Sequence, residues 1–218
     1  MGRYDEIAEW YDSTFRPSLP PPEADVVARF LGPGDGRCLD LGCGTGVAVP
    51  VLTALGWSVV GVDASERLLD IARARGVQAV AASADSLPFD DASFDAALSI
   101  WIHTDVEDFP SAVRETARVL KPGSPFVYAG GHPCFVGPHS RFVGAEGVPS
   151  LLPGYRREER YDGGPAISPD GLRAKVGAKH LPLDRFLQAF LDAGLRLERF
   201  EELEHGEYPY MVALRWRR

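Results

Sequence analysis

The stretch LDLGCGTG at residues 39–46 decides the fold of this chain. It lies where a short apolar run, typical of a buried strand, turns into the start of a helix. Glycines in such a bend allow positive φ and let a ligand approach the backbone closely. In doubly wound α/β folds this bend lies at the carboxyl edge of the sheet, where ligands bind. The stretch therefore predicts a parallel sheet with a ligand site at that edge.

The sequence around the bend alternates short apolar, β-branched runs with helical patterns, which is typical of βαβ units. Five strands are predicted, with helices in the gaps between them, at residues 37–41, 58–62, 77–82, 94–100 and 126–130. A helix is predicted before them at 23–31, and a helix from residue 183 and an antiparallel hairpin are predicted after them. We therefore predict an α/β fold, a Rossmann-like doubly wound sheet of seven strands. The sheet is mostly parallel with the last strand antiparallel, and helices lie on both faces.

Composition limits the class of protein. The 218 residues, of which 45% are hydrophobic, suffice for one globular domain. A formal net charge of -8 argues against nucleic acid and anionic membranes as partners. No apolar run approaches the ~18 residues of a membrane span, and the first residues lack the layout of a signal peptide. Cys38, Cys43 and Cys134 form no CxxC pair, so we predict a metal-free cytoplasmic protein. The sequence gives no handle on oligomeric state, and a monomer or a homodimer is expected.

The spacing of the glycines argues against a polyphosphate ligand. A nicotinamide dinucleotide site requires G-x-G-x-x-G, and Val47 or Val49 occupies the place of the last glycine. A phosphate-loop NTPase requires a lysine after the glycines, and this sequence has none there. A glycine bend alone is weak evidence, so the ligand must be identified from further motifs.

LDLGCGTG resembles the first motif of the class I S-adenosylmethionine-dependent methyltransferases, specifically the large group that acts on small molecules. The resemblance extends over residues 4–130 and is looser from residue 179 onward. It implies S-adenosylmethionine as cofactor and S-adenosylhomocysteine as product. The loop residues implied to surround the methionine part of the cofactor are Gly42, Cys43, Gly44 and Gly46, with Asp40 near its amino group.

An acidic residue, Asp63, ends the second predicted strand. A carboxylate at this place can accept hydrogen bonds from both hydroxyls of a ribose. The resemblance implies this role for Asp63, with Ala64 beside the adenine. Asp63 could instead cap the helix that begins near Ser65, and the two roles are compatible.

Further stretches match the family in the same order along the chain. ADSLPF at residues 84–89 is similar to a family stretch near the adenine, which implies that Asp85 and Ser86 lie there. The alternative for Asp85 is an ordinary turn residue. Ser99, at the end of the fourth strand, is placed with the cofactor-binding residues, and LKPG at 120–123 matches the stretch before strand five. Several motifs in order are far more specific than any one.

YDEIAEWYD at residues 4–12 resembles the lead-in that often covers the bound cofactor. It implies Tyr11 as a cofactor contact, although packing onto the domain explains an aromatic residue equally well. Residues 1–218 are thus expected to form one methyltransferase domain. Its parts are cofactor-covering helices (1–35), a cofactor-binding core (36–130), an inserted substrate lid after strand five (131–181), and a C-terminal helix with a hairpin (182–218).

Histidines are the candidates for a general base, because their unperturbed pKa of ~6.5 lies near working pH. His103 follows the fourth strand and His132 the fifth, so both should lie at the carboxyl edge of the sheet. His180 precedes the last helix, at a place where related small-molecule enzymes commonly carry a histidine. Each could equally be a hydrogen-bonded structural residue, and His139 is interpreted as a surface residue.

The insertion is rich in glycine and proline, and a long irregular stretch usually has a function. We expect it to form a lid and part of the acceptor pocket. Its arginines at 156–160 could hold a carboxylate, although a solvated charged segment is the commoner explanation. The aromatic residues expected to contact the substrate are Trp101, Phe135, Tyr155 and Tyr161.

The predicted function is methyl transfer to a small-molecule acceptor by in-line displacement, with a histidine as candidate base and specialised metabolism as a setting. Strand four lacks the Asn/Asp-Pro-Pro-Tyr/Phe sequence of families that methylate base or glutamine amines, which favours a small acceptor. Three alternatives stay open: a methyltransferase acting on RNA or a protein terminus, a non-catalytic cofactor-binding domain, and a nicotinamide oxidoreductase.

Overall fold

The computed structural model describes residues 3–143, 148–163, 167–205 and 207–218. Its strands are β1 (Arg37–Leu41), β2 (Ser58–Asp63), β3 (Gln78–Ala81), β4 (Ala96–Ile100), β5 (Pro125–Gly131), β6 (Ser140–Val143), β7 (Val148–Leu151), β8 (Arg160–Tyr161), β9 (Ala178–Lys179), β10 (Arg196–His205) and β11 (Tyr208–Arg217). The central sheet has seven strands in the order β10-β11-β5-β4-β1-β2-β3. β6 pairs with β7, and β8 with β9, in two small antiparallel sheets.

The carboxyl ends of the parallel strands meet at one edge of the central sheet. β1 pairs in parallel with β2 and β4, so Leu41 lies beside both Val62 and Ser99. β5 continues the sheet beyond β4, and β11 runs antiparallel between β5 and β10. The prediction of a Rossmann-like, mostly parallel sheet of seven strands with an antiparallel last strand is confirmed.

Helices cover both faces of the sheet. They are α1 (Ala8–Trp10), α2 (Pro21–Val26), α3 (Val49–Ala54), α4 (Glu66–Ala74), α5 (Phe109–Val119), α6 (Leu172–Val176) and α7 (Leu183–Asp192), with π-helical turns at Tyr11–Phe15 and Val27–Leu31. Leu52 of α3 packs with Cys38 of β1, whereas Phe109 of α5 and Phe186 of α7 pack with Leu39. Because neighbouring strand residues point to opposite faces, two apolar cores enclose the sheet.

Polar side chains start the helices that lead away from the carboxyl edge. Ser65 accepts a hydrogen bond from the N–H of Leu68 at 3.3 Å and so caps α4. Asp108 accepts one from the N–H of Ser111 at 3.0 Å and caps α5. Such caps satisfy amides that the first helical turn leaves unpaired. The cap of α4 is therefore Ser65, and Asp63 keeps its carboxylate for other partners.

The expectation that helices fill every gap between strands is wrong between β3 and β4. Residues 82–95 form turns there, and no helix is described in this range. Pro88 and a run of Asp and Ser residues favour turns over a helix. The guanidinium of Arg118 in α5 fixes these turns by donating to the carbonyl oxygens of Leu87 and Phe89, at 3.0 and 2.9 Å. The buried side chains of Leu87 and Phe94 cover the sheet in place of a helix.

The insertion after β5 consists of short elements rather than one continuous unit. It contains β6, β7, β8, α6 and β9, of which the longest, α6, has five residues. α6 returns to the carboxyl edge of the sheet, where Leu172 and Arg173 reach the main cavity. Among the described residues no helix combines the length and the apolar character that crossing a membrane requires.

Candidate functional site

A cavity of about 760 Å³ lies at the carboxyl edge of the parallel strands. This volume is in the upper part of the ~300–1,000 Å³ range of small-molecule sites. Its walls come from the residues that follow β1, β2, β3 and β4, from the N-terminal segment and from α6. The cavity therefore occupies the place where doubly wound sheets bind their ligands.

The glycine bend after β1 forms one end of the cavity. Gly42 has φ +75 and Gly44 has φ +53, a region that side chains other than glycine rarely adopt. The N–H groups of Gly42 and Cys43 both donate to the carbonyl oxygen of Val62, at 2.8 and 3.0 Å. A Cβ at Gly42 would lie 3.1 Å from Ile102, so the bend is closely packed on its outer side. The bend is thereby tied to the end of β2.

Asp63 lines the cavity and also fixes the glycine bend. One carboxylate oxygen accepts the N–H of Gly44 at 2.9 Å, and the other accepts the N–H of Ser65 at 2.9 Å. Burial raises the pKa of Asp63, and the two backbone donors offset part of that rise. A carboxylate has about four acceptor positions, so two remain for hydroxyl groups of a ligand.

Asp40, the last residue but one of β1, is the most buried acid of the cavity wall. It is only 2% exposed, and its Oδ2 atom has no hydrogen-bond partner among the described residues. Burial, followed by the charge of Asp63, raises the pKa of Asp40 to about 7. A buried acceptor without a partner is costly, and a cationic donor in the cavity would satisfy it.

The N-terminal segment closes over the glycine bend. The ring of Tyr11 lies 3.8 Å from the position of a Cβ on Gly44, and Tyr4 packs edge-to-face on Tyr11 at 5.3 Å between centroids. Asp5 accepts a hydrogen bond from the Ser65 hydroxyl at 2.6 Å, which holds the segment on the start of α4. Of the N-terminal helices, this first segment lines the cavity, whereas Val26 and the following turn pack into the core.

A half-buried ion pair, which no sequence motif indicated, lies at the outer side of the cavity. Arg173 of α6 donates to Asp105 at 2.8 Å and to the hydroxyl of Thr104 at 2.9 Å. The hydroxyl of Tyr4 donates to the same Asp105 oxygen at 2.9 Å. Burial acts to lower the pKa of Arg173, but the Asp105 carboxylate together with Tyr4 and Tyr161 raises that pKa above its ordinary value. Sixty-eight residues separate this pair along the chain, so no local pattern could reveal it.

The far end of the cavity carries aromatic side chains. Trp101 follows β4 directly with φ +65, an uncommon backbone conformation for a bulky residue. Its ring lies against Gly131, where a Cβ would be 2.8 Å from the ring atom Cζ3. Tyr210 of β11 packs beside it at 5.8 Å between ring centroids. Arg16 also lines the cavity, and it donates to the same Glu23 oxygen as the Trp101 indole. No sequence motif indicated Arg16.

Most of the residues predicted to contact a cofactor do line the cavity. They are Tyr11, Asp40, Gly42, Cys43, Gly44, Asp63, Ala64 and Asp85, and the predicted substrate residue Trp101 lines it as well. Except for Tyr11, which belongs to the N-terminal segment over the sheet edge, these residues lie at or just after the ends of parallel strands. They converge because the parallel sheet brings those ends to one edge.

Three predicted cofactor residues do not line the cavity. Ser99 is fully buried inside the sheet, where its hydroxyl donates to the carbonyl oxygen of Leu41 at 3.0 Å. Gly46 faces the protein instead, because a Cβ there would lie 2.8 Å from Val77. Ser86 is an exposed turn residue whose N–H donates to the carbonyl oxygen of Ser83 at 3.1 Å.

None of the three candidate histidines lines the described cavity. His103 is 3% exposed, bonds to the Tyr128 hydroxyl and packs on aromatic rings, and burial lowers its pKa to about 3. His132 uses both ring nitrogens, one with Glu202 at 2.8 Å and one accepting the N–H of Cys134 at 3.1 Å. Both follow strand ends, as predicted, but their rings turn away from the cavity. A histidine base stays a prediction that this geometry does not favour.

His180 and His139 form a separate buried pair. The ring of His180 bonds to the carbonyl oxygen of Tyr155 at 2.7 Å, and that of His139 to the carbonyl oxygen of Cys134 at 2.9 Å. The two rings lie 4.6 Å apart. The interpretation of His139 as a surface residue is wrong, because the insertion folds over it and leaves it 2% exposed.

The aromatic residues of the insertion do not line the described cavity either. Tyr155 packs on the buried histidines, and its hydroxyl accepts the N–H of Leu183 at 2.9 Å. Phe135 contacts His132, with the ring centroids 4.8 Å apart. Tyr161, in β8, lies outside the lining, and burial raises its pKa to about 12. The contribution of the insertion to the cavity comes instead from residues 167–173.

Part of this chain is similar in sequence to known methyltransferases. Residues 39–128 match a family described as a methyltransferase domain. A demethylmenaquinone methyltransferase of Mycobacterium sp. (strain KMS) is 42% identical over 100 residues, which is 46% of this chain and 43% of that protein. An uncharacterized methyltransferase of Mycobacterium tuberculosis is 41% identical over 114 residues, 50% of this chain and 44% of that protein. The chain spans less than half the length of these curated relatives.

A solved structure extends the likeness over nearly the whole chain. The S-adenosylmethionine dependent methyltransferase from Mesorhizobium loti has a TM-score of 0.71 and 27% identity, covering 90% of this chain and 96% of that chain. The sheet and its edge cavity thus define a Rossmann-like methyltransferase architecture. The family match over residues 39–128 and the likeness to this structure support a class I S-adenosylmethionine-dependent methyltransferase.

Proposed function

We propose that this chain binds S-adenosylmethionine in the edge cavity and transfers its methyl group to a small-molecule acceptor. The observation that carries the proposal is the joint position of Asp40 and Asp63 beside the open side of the glycine bend. Asp40 has one carboxylate oxygen with no donor among the described residues, and Asp63 has acceptor positions left over. A cavity with these two acceptors suits a ligand that carries both a cation and a pair of hydroxyls.

The lining fits S-adenosylmethionine group by group. Asp40 would accept the ammonium of the amino-acid part, whose charge also favours the ionised carboxylate. Asp63 would accept the ribose hydroxyls, and Ala64 and Asp85 lie on the same wall for the adenine. At Gly44 a side chain would project toward Tyr11 and occupy this space. When bound, S-adenosylmethionine supplies a methyl group on a sulfonium, which is a good leaving group.

The protein's own part in the reaction is alignment and exclusion of water. Tyr4 and Tyr11 lie over the glycine bend and separate it from solvent. The pair of Asp105 and Arg173 ties α6 to the residues after β4, and the Tyr4 hydroxyl joins the same carboxylate. We propose that these contacts hold the cofactor end closed while Trp101 and its neighbours receive the acceptor.

Two observations support a small molecule as the acceptor. The formal net charge of -8 disfavours a phosphate backbone. Several relatives are demethylmenaquinone methyltransferases, and the acceptor in that name is a small molecule. A methyltransferase acting on RNA or on a protein terminus is therefore the less supported alternative.

Calorimetric titration tests the proposal. We expect wild-type protein to bind S-adenosylmethionine and S-adenosylhomocysteine with a Kd of roughly micromolar size, and Asp63→Asn to bind both about tenfold more weakly. The amide keeps the shape of the carboxylate but supplies fewer acceptors for the ribose hydroxyls. Asp70→Asn is the matched control, because Asp70 is an exposed acid on α4 outside the cavity lining.

Thermal unfolding of each variant must accompany the titration, because Asp63 also fixes the N–H of Gly44. A folded Asp63→Asn variant with wild-type affinity would remove Asp63 from the site. Failure of the wild-type protein to bind either compound would remove the proposed function itself.

A further inference from the structure

The cavity continues well beyond the glycine bend. Tyr210 stands near the start of β11, and β11 is separated from β1 by β5 and β4. Three strand spacings of about 4.8 Å therefore lie between the bend and Tyr210. Both places belong to the lining of the same cavity. A ligand held at the glycine bend leaves this far end available for a second one.

The far end presents a fixed aromatic wall. The Trp101 ring lies over Gly131, and Tyr210 packs beside it at an interplanar angle of 51°. The absence of a side chain at Gly131 is what allows the indole to lie there. Rings held in this way favour stacking or edge contacts with a planar partner.

Arg16 supplies a cation beside this wall. Its side chain is 15% exposed and donates to Glu23 at 3.2 Å, and the Trp101 indole N–H donates to the same Glu23 oxygen at 3.3 Å. Glu23 is 4% exposed and stands behind the lining, not in it. One buried carboxylate therefore orients both the arginine and the tryptophan.

The Arg16 guanidinium keeps donors for a ligand. A guanidinium has five N–H donors, and in the described parts of the chain Glu23 is the acceptor that this side chain contacts. Arg173, by contrast, is paired with Asp105, and Arg3 lies 3.5 Å from Glu107, and both acids are themselves in the lining. The acid that pairs with Arg16 therefore stands behind the lining, and among the described residues no acid of the lining itself contacts this guanidinium.

We propose that Arg16, Trp101 and Tyr210 form an acceptor subsite for a planar aromatic acid. The ring of the acceptor packs on the indole and phenol, and its carboxylate bonds to the guanidinium. Arginine suits this role because its planar donors match the geometry of a carboxylate. This inference rests on the proposed function: only if the cofactor occupies the glycine bend is the far end of the cavity left for the acceptor.

A carboxylate at Arg16 could come from two sources, the acceptor or the amino-acid part of the cofactor. The two are separated by titrating each ligand alone. Wild-type protein saturated with S-adenosylhomocysteine is titrated with 2-naphthoate and with its neutral analogue 2-naphthamide. Arg16→Gln, Arg16→Lys and the double variant Arg16→Gln/Glu23→Gln are titrated in the same way, and each is also titrated with S-adenosylhomocysteine alone.

We expect wild-type protein to bind 2-naphthoate about tenfold more tightly than 2-naphthamide, because the carboxylate accepts a charge-assisted hydrogen bond from the Arg16 guanidinium. Arg16→Gln and the double variant should abolish this preference, and Arg16→Lys should restore part of it. Their affinity for S-adenosylhomocysteine should stay within about twofold of wild type. The double variant leaves no buried carboxylate unpaired, so it keeps the test valid if the single variant unfolds.

Arg67→Gln is the matched control, since Arg67 is an exposed arginine outside the lining that pairs with Glu9. Equal wild-type affinity for the two naphthalene compounds would overturn the inference and leave the proposed function standing. A tenfold loss of S-adenosylhomocysteine affinity in Arg16→Gln would also overturn it, by assigning Arg16 to the cofactor carboxylate. No binding of S-adenosylhomocysteine to wild type would overturn the inference and the proposed function together.

Discussion

The two acids at the cofactor end differ because their surroundings differ. Asp63 receives two backbone N–H donors, which favour its charged form against the effect of burial. Asp40 has an oxygen with no donor among the described residues, and burial, followed by the charge of Asp63, raises its pKa to about 7. Asp40 therefore titrates near neutral pH in the free protein, whereas a bound cation would stabilise its charged form.

Asp40 should make binding of a cationic ligand depend on pH. With a pKa of about 7 in the free protein, Asp40 must lose a proton on binding an ammonium below that pH. Affinity for S-adenosylhomocysteine should therefore fall as pH drops from about 7.5 toward about 5.5, and Asp40→Asn should remove most of this dependence. Calorimetry at several pH values, in buffers of different ionisation enthalpy, measures both the affinity and the released proton.

Adenosine, which has no ammonium, is the control ligand for Asp40. Its affinity should change little over the same pH range. An equally steep pH dependence for adenosine, or for Asp40→Asn with S-adenosylhomocysteine, would contradict the assignment of Asp40 to the ammonium.

At the scale of elements, the cavity is closed by pieces that are too short to be stable alone. α6 has five residues, and isolated helices shorter than ~12 residues are marginal in water. Its position depends on contacts with distant parts of the chain, namely Arg173 with Asp105 and Lys175 with the Trp10 ring at 5.1 Å. The N-terminal segment and α6 therefore stabilise each other through residues that follow β4.

Removing the guanidinium of Arg173 should loosen the attachment of α6 to the residues that follow β4. In Arg173→Gln, the Asp105 carboxylate keeps its hydrogen bond from the Tyr4 hydroxyl but loses the ion pair with the guanidinium. A largely buried negative charge then has no positive partner, which is destabilising. We expect faster hydrogen exchange in residues 172–176 and about tenfold weaker binding of S-adenosylhomocysteine. Exchange measured by mass spectrometry, together with calorimetry, checks both results.

The control for this change is Arg185→Gln on α7, because Arg185 is 65% exposed and pairs with Glu158. Asp105→Asn combined with Arg173→Gln should recover part of the lost protection, since no unpaired charge then remains. Unchanged exchange in residues 172–176 of Arg173→Gln would show that the pair does not hold α6 in place.

For the whole molecule, buried ionisable groups link folding to pH. His103 stands in an aromatic core with Phe109, Tyr128 and Phe186, and burial lowers its pKa to about 3. In the unfolded chain the same side chain has a pKa of ~6.5. Between these values the unfolded chain binds a proton that the folded protein does not, so this histidine lowers stability as pH falls. Asp40, with a raised pKa, has the opposite effect between about pH 4 and its folded pKa of about 7.

Replacing His103 should flatten the acid side of the stability profile. The contribution of His103 to the free energy of unfolding should fall by up to ~1.4 kcal/mol per pH unit below about pH 6.5. His103→Asn keeps a group that can bond to the Tyr128 hydroxyl but does not titrate in this range. Urea unfolding of both proteins at a series of pH values gives the difference between their free energies of unfolding. The effect of Asp40 is common to both proteins and cancels in this difference. Parallel curves for the two proteins would contradict the burial of a neutral His103.

Local sequence patterns were sufficient to predict the five parallel strands, the last helix and hairpin, and the glycine bend beside Asp63. The glycine bend and Asp63 were predictable because both follow strand ends, and parallel strands place those ends at one edge of the sheet. The expectation of a helix between β3 and β4 failed, because Pro88 and the Asp and Ser residues favour turns there and Arg118 of α5 holds those turns in place. Local patterns also failed to place Gly46 and Ser99, since a motif gives the position of a backbone but not the side to which it faces.

Only the tertiary structure decided which side chains meet at the far end of the cavity and which are withdrawn from it. Arg16, Tyr210 and Arg173 come from the N-terminal segment, the last strand and the insertion, and packing alone brings them together. The same packing turned the candidate histidines into the protein interior, where their rings bond to neighbouring groups. Local backbone preferences and hydrophobic periodicity decide where strands and helices lie along the chain, whereas contacts between distant residues depend on how those elements pack.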